Sequence, residues 1–378
     1  MKDGKDLRKA TEEITEWDWQ IFEKLTSVEL DKRQINLVER PERVYEQSDP
    51  VLAVHWHPEM VPIPLAKKRI DALYPHAIET LIIPTQHNEV LTYGDYAGVE
   101  VDCRAASFNR KIQLLLHFDR RKIDEAAVFQ SMIGHTYRYR RNQLSEFLET
   151  MVDPRYEERL RTAVKQTGTE AGLVRFAGIL ASKLTRMIEI RSGQMPDATL
   201  KNRLFIHYAD AHRDLYDAHA IDRTVIFALG VKKIVKKLFR LDYFYDANEI
   251  IAETRALGGG VIVPHPEQFW PVLLADYDVD GYEVWNPQSR EFTEFLIDVV
   301  IKKNRERKRS DRRILVMMGD DTHLSEKLLD PEKQNPDKAD REIGYQPPWN
   351  DAAVRKVLAR GNFDKKTVID EYRSRLAA

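Results

Sequence analysis

Cysteine, net charge and long apolar runs are what this sequence has least of, and each scarcity closes off a class of protein. One cysteine, Cys103, allows no internal disulfide framework and suits a reducing compartment. Lys and Arg (59) nearly balance Asp and Glu (61), so bulk charge marks neither a nucleic-acid binder nor an acidic tail protein. No apolar run approaches the roughly 20 residues of a membrane span. Nothing apolar follows Met1–Asp6 to act as a secretion signal. These absences point to a soluble, cytoplasmic protein with no membrane partner. At 378 residues the chain should hold one large α/β domain with additions, or two domains.

What is present centres on Val51 to Glu59, Val-Leu-Ala-Val-His-Trp-His-Pro-Glu. Four apolar residues run into His55 and His57, and Pro58 stops the run, as in a short buried strand. Alternation along a strand sends His55 and His57 to one side and Trp56 to the other. Paired imidazoles at a strand end are poor core material and a good beginning for a metal site.

Six further strand-like runs follow, at 79–85, 98–103, 111–118, 261–266, 282–285 and 314–318. Helical patterns separate most of them. Residues 1–48 read as a helical N-terminal extension with an apolar face of Trp17, Trp19, Ile21, Phe22 and Leu25. Residues 122–244 read as a helical insertion, in which Phe176, Leu180 and Leu184 recur at helical spacing. Asp246 with Glu249 forms a helix-start signature before Gly258-Gly259-Gly260. Residues 331–378 read as a polar, Pro-rich tail ending in helices. The sheet domain is therefore expected over 49–121 and 245–330. Strands alternating with helices imply a parallel, barrel-like sheet, whose C-terminal strand ends carry the chemistry. Those ends, with one strand interior, hold His55, His57, His87, Glu100, His265, Asp321 and His323. Histidine mixed with carboxylate suits Zn, Mn or Fe rather than a thiolate zinc site.

This pattern resembles the PHP (polymerase and histidinol phosphatase) domain. The family's opening His-x-His is similar to His55-Trp56-His57, and its Thr-Asp-His-Asn turn to Thr85-Gln86-His87-Asn88. Its Gly-x-Glu is similar to Gly98-Val99-Glu100, its Gly-Gly to His-Pro stretch to Gly259–Pro266, and its Gly-x-Glu-x-x-Asn to Gly281–Asn286. Its closing Gly-Ser-Asp-Ala-His is similar to Gly319-Asp320-Asp321-Thr322-His323. The resemblance covers about 50–120 and 245–325. It implies a distorted seven-stranded (β/α)7 TIM-like barrel, two or three divalent metal ions, and hydrolysis of a phosphate ester by a metal-activated water.

The chain departs from the family at two places. Gln86 stands where the family has aspartate, and the metal histidine of the fourth strand falls on Gln113. His117 lies on the same strand face, so Gln113 and His117 are both candidates to ligate a metal or to support a ligand. Asp321 is the candidate proton acceptor, with His323 beside it. Arg138, Arg140 and Arg141 of the insertion are candidates to bind a small phosphorylated substrate if the insertion caps the barrel mouth. Two other readings stay open: a metal-dependent nuclease on DNA or RNA ends, and a non-catalytic metal-bound interaction domain.

Overall fold

The computed structural model describes residues 6–308 and 311–378. Residues 1–5 and residues 309–310 of the basic run Lys302–Arg313 lie outside the described residues. No described helix is long and apolar enough to cross a membrane. The chain forms two compact units: Met1–Glu29 with Arg138–Arg240, and Leu30–Tyr137 with Leu241–Ala378.

The first unit is helical. Its helices Glu16–Thr26, Tyr139–Val152, Glu157–Thr167, Ala171–Ile190, Arg203–Ala211 and Ala218–Leu238 enclose a core that includes Phe22, Phe147, Phe176, Leu180, Leu184 and Phe205. The expected extension 1–48 spans both units, its described residues up to Glu29 joining these helices. One carboxylate organises the interior. Asp18 is buried and accepts from Thr15 N at 2.8 Å, Lys183 Nζ at 2.9 Å and the Tyr208 hydroxyl at 2.5 Å. Burial alone would raise its pKa, but His212, Tyr208 and Lys183 hold it well below the usual carboxylate range.

The described residues of the second unit form ten strands: β1 (Val51–Ala53), β2 (Trp56–His57), β3 (Thr80–Ile82), β4 (Leu91–Tyr93), β5 (Tyr96–Ala105), β6 (Arg110–Asp119), β7 (Gly260–Val263), β8 (Gly281–Trp285), β9 (Leu315–Met318) and β10 (Thr322–His323). Each of the seven expected strands is present. Their arrangement corrects the expectation that all the strands run parallel. The ladders form a six-stranded sheet, β4-β5-β6-β7-β8-β9, and two separate parallel pairs, β1-β3 and β2-β10. They make no single closed seven-stranded sheet. Only β7-β8-β9 run parallel within the six; β4-β5, β5-β6 and β6-β7 are antiparallel. For β4-β5 and β5-β6 the reason lies in the short links between them. Residues 106–109 alone join β5 to β6, with Asn109 in the left-handed region (φ 48°). A parallel return needs a crossover of about a dozen residues.

Backbone bonds stitch the three ladders at the strand ends. Glu100 N donates to Gln86 O (3.1 Å) and Asn88 N to Glu100 O (2.7 Å), linking the end of β3 to β5. Asp321 N donates to His55 O (2.9 Å), linking the end of β9 to β1. β1, β7, β8 and β9 are buried along their whole length, so their apolar runs need no polar face.

Asp18→Asn should destabilise the helical unit by on the order of 3–5 kcal/mol, because Lys183 is left buried without its counter-charge. Urea unfolding followed in this unit measures it. Because folding depresses the Asp18 pKa, its stabilisation is present above the unfolded value near 3.9 and is lost as pH falls further. Wild type should therefore converge on the variant in acid.

Candidate metal centre

Strand ends bring the seven expected residues together. β1 stops at Ala53, His55 and His57 follow around the buried Trp56, and β10 pairs with β2 so that His323 lies opposite His57. The bridge between the two other ladders sets His87 beside Glu100. Three groups result, each with donor atoms within 4.8 Å of one another: His57, His87 and His323; His55, Glu100 and His265; His55, His57 and Asp321. His55, His57 and Glu100 are fully buried, whereas His87 and His323 stand partly open.

Hydrogen bonds aim the ligand atoms. His55 Nδ1 donates to Glu283 Oε1 at 2.7 Å, which leaves Nε2 toward Asp321 Oδ1 at 3.7 Å. His323 Nδ1 pairs with Glu59 Oε1 at 3.2 Å, which leaves Nε2 toward Asp321 Oδ1 at 3.3 Å. A carboxylate on the far nitrogen fixes the tautomer and ring of a ligating histidine. Glu283 Oε2 also accepts from His265 N at 2.9 Å. Gly319 permits this packing: a Cβ there would collide with Glu283 Oε1 and come within 2.9 Å of His55 Nδ1.

The donors fit metal ions better than they fit one another. His55 Nε2, both nitrogens of His57, Glu100 Oε1 and His265 Nδ1 are buried without a hydrogen-bond partner, and His87 Nδ1 is pressed against Glu100 Oε2. Such atoms are rare in proteins and costly. His57 Nε2 lies 3.4 Å from Asp321 Oδ1 and 3.6 Å from Glu100 Oε2, and His265 Nε2 lies 3.5 Å from Glu100 Oε1. Two ligands each about 2.1 Å from a shared ion stand roughly 3.0–3.4 Å apart at octahedral to tetrahedral angles.

Charge is graded across the cluster. Burial, with His87 and His323 adding to it, pushes His57 down to about 3, so the ring is neutral and one of its nitrogens offers a lone pair. Burial would do the same to His55, but the Glu283 carboxylate overrides it and raises His55 to about 10. His323 rises to about 9 because Asp321 and Glu59 outweigh its burial. Glu100 and Asp321 are held well below the carboxylate range by surrounding imidazoles, against their own desolvation.

The backbone is bent to make this possible. Six non-glycine residues among those described have positive φ, and four belong here: Glu59 (54°), Asn88 (55°), His265 (41°) and Asp321 (47°). Left-handed backbone at non-glycine residues gathers where the surroundings over-determine it, above all at functional sites.

The other candidates fall elsewhere. His117 is fully buried and both ring nitrogens are engaged: Nε2 donates to Val54 O at 3.0 Å, and Nδ1 accepts from the Tyr372 hydroxyl at 2.7 Å. In this arrangement both nitrogens are used within the protein, which suits the supporting role rather than ligation. It supports the peptide before His55 instead. Gln113 is half-buried and faces Asp102 in the β5–β6 ladder, whereas Leu115 occupies the position opposite Glu100. Arg138, Arg140 and Arg141 belong to the helical unit, where Arg141 pairs with Asp197 at 3.3 Å. Sequence reading gave no role to Glu283, Gln288 and Arg341. Glu283 lies within the Gly281–Asn286 motif, and that signal could have found it. Gln288 and Arg341, which both bond Asp321 Oδ2, carry no sequence signal.

No protein-family profile and no curated protein matches the chain. Among solved structures, one similar chain is a Bifidobacterium adolescentis protein provisionally described as a metal-dependent phosphoesterase. It is 17% identical, the match covers 86% of this chain and 99% of that one, and the TM-score is 0.36. A likeness so loose carries no argument, and the chemistry rests on the side chains.

Gly319→Ala should displace Glu283 and His55, with an overpacking cost of about 1–3 kcal/mol and metal affinity about 10–100-fold weaker. Gly134→Ala, in helix Ala127–Tyr137 with open space around it, serves as the control and should leave metal affinity unchanged. Melting curves and metal titrations compare the two.

Metal loading should also release protons. With raised pKa values of about 10 and about 9, His55 and His323 are protonated at pH 7 and must lose that proton to ligate. Affinity should therefore rise with pH between 7 and 10. Calorimetric titration in buffers of different ionisation enthalpy counts the protons; no release would contradict ligation through these two rings.

Proposed function

We propose that this chain is a metal-dependent phosphoesterase of the PHP kind, with two or three divalent ions held by His55, His57, His87, Glu100, His265, Asp321 and His323. The observation that carries the reading is the convergence of these seven side chains, of which His55, His57, Glu100 and His265 hold buried donor atoms without a hydrogen-bond partner. The stitched ladders support a wider reading of the fold. In it, β1, β3 and β5 to β9 form the wall of a distorted barrel, closed at the site by the bonds from Glu100 to Gln86 and from Asp321 to His55. The helices between β6 and β7 are then an insertion into that barrel.

When bound, divalent ions supply Lewis acidity, acidifying a water and neutralising charge on phosphate oxygens. The protein's part is orientation. Glu283 and Glu59 hold His55 and His323 in the tautomers that present Nε2. Asp321 Oδ2 is taken by Gln288 Nε2 at 2.7 Å and Arg341 Nη1 at 2.8 Å, so Oδ1 is the oxygen left to ligate or to accept a proton from the attacking water.

The expected substrate is a small phosphate ester rather than a nucleic acid. A cleft of about 1550 Å³ lined by Gln288 and Arg341 opens next to Asp321. Its cations, Arg43, Arg290, Lys338 and Arg341, face Glu291, Glu294, Asp337, Asp340 and Asp351. A groove for a polyanion needs a clear excess of cations, and this lining has none.

The test loads the protein with Mn or Zn and assays a chromogenic phosphomonoester and phosphodiester. Elemental analysis should find at least two ions per chain. Asp321→Asn should lower turnover by on the order of 10²–10⁴-fold and keep its fold, because buried β9 is held by Leu315, Val316, Met317 and Met318. A protein that takes up no metal sinks the proposal. Wild-type turnover in Asp321→Asn removes Asp321 from the mechanism.

A further inference from the structure

The segment after the site motifs, Asp330 to Trp349, lies beyond the stretch that resembles a known family, yet it is bonded repeatedly to the end of β9. Gln346 Nε2 donates to Met318 O at 2.6 Å, and Gly344 N donates to Asp320 Oδ2 at 2.9 Å. Arg341 Nη1 donates to Asp321 Oδ2 at 2.8 Å and to Asp321 O at 3.1 Å. The segment is clamped from its other side as well. Glu342 accepts two bonds from Arg69 of helix Ile63–Leu73, at 2.8 and 2.5 Å, and the Tyr74 hydroxyl donates to Ile343 O at 2.7 Å.

Asp321 is the residue that needs such a clamp. Its φ of 47° is one an L side chain rarely adopts. A carboxylate can also turn about its last torsion and exchange its two oxygens. Arg341 bonds the carbonyl and one carboxylate oxygen from a single nitrogen, so it fixes the peptide and the carboxylate together. Oδ1 then faces His55, His57 and His323 at 3.7, 3.4 and 3.3 Å. Arg341 is only 6% exposed and is itself held through Nε to Asp337 O at 3.2 Å. A buried ion pair contributes little net stability, so stability is a weak reason to bury this guanidinium. Orientation is a stronger one.

We infer that Arg341 is a positioning residue of the metal centre: by occupying Asp321 Oδ2 and the Asp321 carbonyl, it dictates that Oδ1 meets the ions, and it makes the Asp330–Trp349 segment part of the site. The inference rests on the metal reading above. Gln288 is the lesser partner, since it bonds the same oxygen from a more exposed position.

Mn²⁺ titration of the full chain tests it in a double-mutant cycle of Arg341→Gln and Asp321→Asn, with Arg341→Lys alongside. Arg341→Gln should weaken part of the Mn²⁺ binding by about 10–100-fold. Arg341→Lys keeps the charge without the planar fork, and should recover only part of the loss. In the Asp321→Asn background, Arg341→Gln should change affinity by less than about twofold, because its effect runs through Asp321. Additive losses would show that Arg341 acts elsewhere and overturn the inference. Wild-type Mn²⁺ affinity in both Arg341 variants would overturn it too, while wild-type protein that binds no Mn²⁺ would bring down the metal reading itself. Should Arg341→Gln fail to fold, the same cycle with Arg341→Lys decides.

Discussion

Five imidazoles and two carboxylates share one buried space in this protein, and a buried charge or unpaired donor costs several kcal/mol unless something answers it. The surrounding structure can be read as the answer. Glu283 and Glu59 each take one nitrogen of a histidine and leave the other pointing inward. Gly319 gives up a side chain so that Glu283 can reach His55. Glu59, Asn88, His265 and Asp321 accept left-handed backbone to turn their neighbours inward. What remains is a set of nitrogen and oxygen atoms whose spacing suits shared cations.

The same constraint explains why the chain continues past its last motif. A carboxylate that must present one particular oxygen needs a partner on the other, and β9 offers none. The Asp330–Trp349 segment supplies it, bonding Met318, Asp320 and Asp321 in turn, and is itself anchored by Arg69 and Tyr74. Asp320, next to Asp321, is spent on the backbone of Thr322 and Gly344. Its burial raises its pKa to about 7.

Much of this was legible in the sequence because it is local. Short runs rich in apolar residues, five of them closed by Pro, Gly or Asn, marked the seven expected strands, and ligand types at their ends marked the site. The antiparallel run of β5 and β6 was legible too, in the four residues that join them, but alternation of strands and helices elsewhere suggested a uniform parallel sheet. His117 and Gln113 were not separable from sequence. Both lie on one face of β6, and only the Tyr372 hydroxyl, 255 residues away, takes up the His117 nitrogen an ion would have needed.

By itself, then, the sequence determined which side chains could ligate and that strands would carry them, since periodicity and composition act over neighbouring residues. The tertiary structure alone decided which oxygen of Asp321 faces the cluster, which nitrogen of His55 and His323 is left free, and that Arg341 belongs to the site. Those outcomes depend on partners hundreds of residues apart in some cases, such as Glu283 for His55 and Glu59 for His323. A hydrogen bond is set by position within a few tenths of an ångström, and no local pattern encodes that.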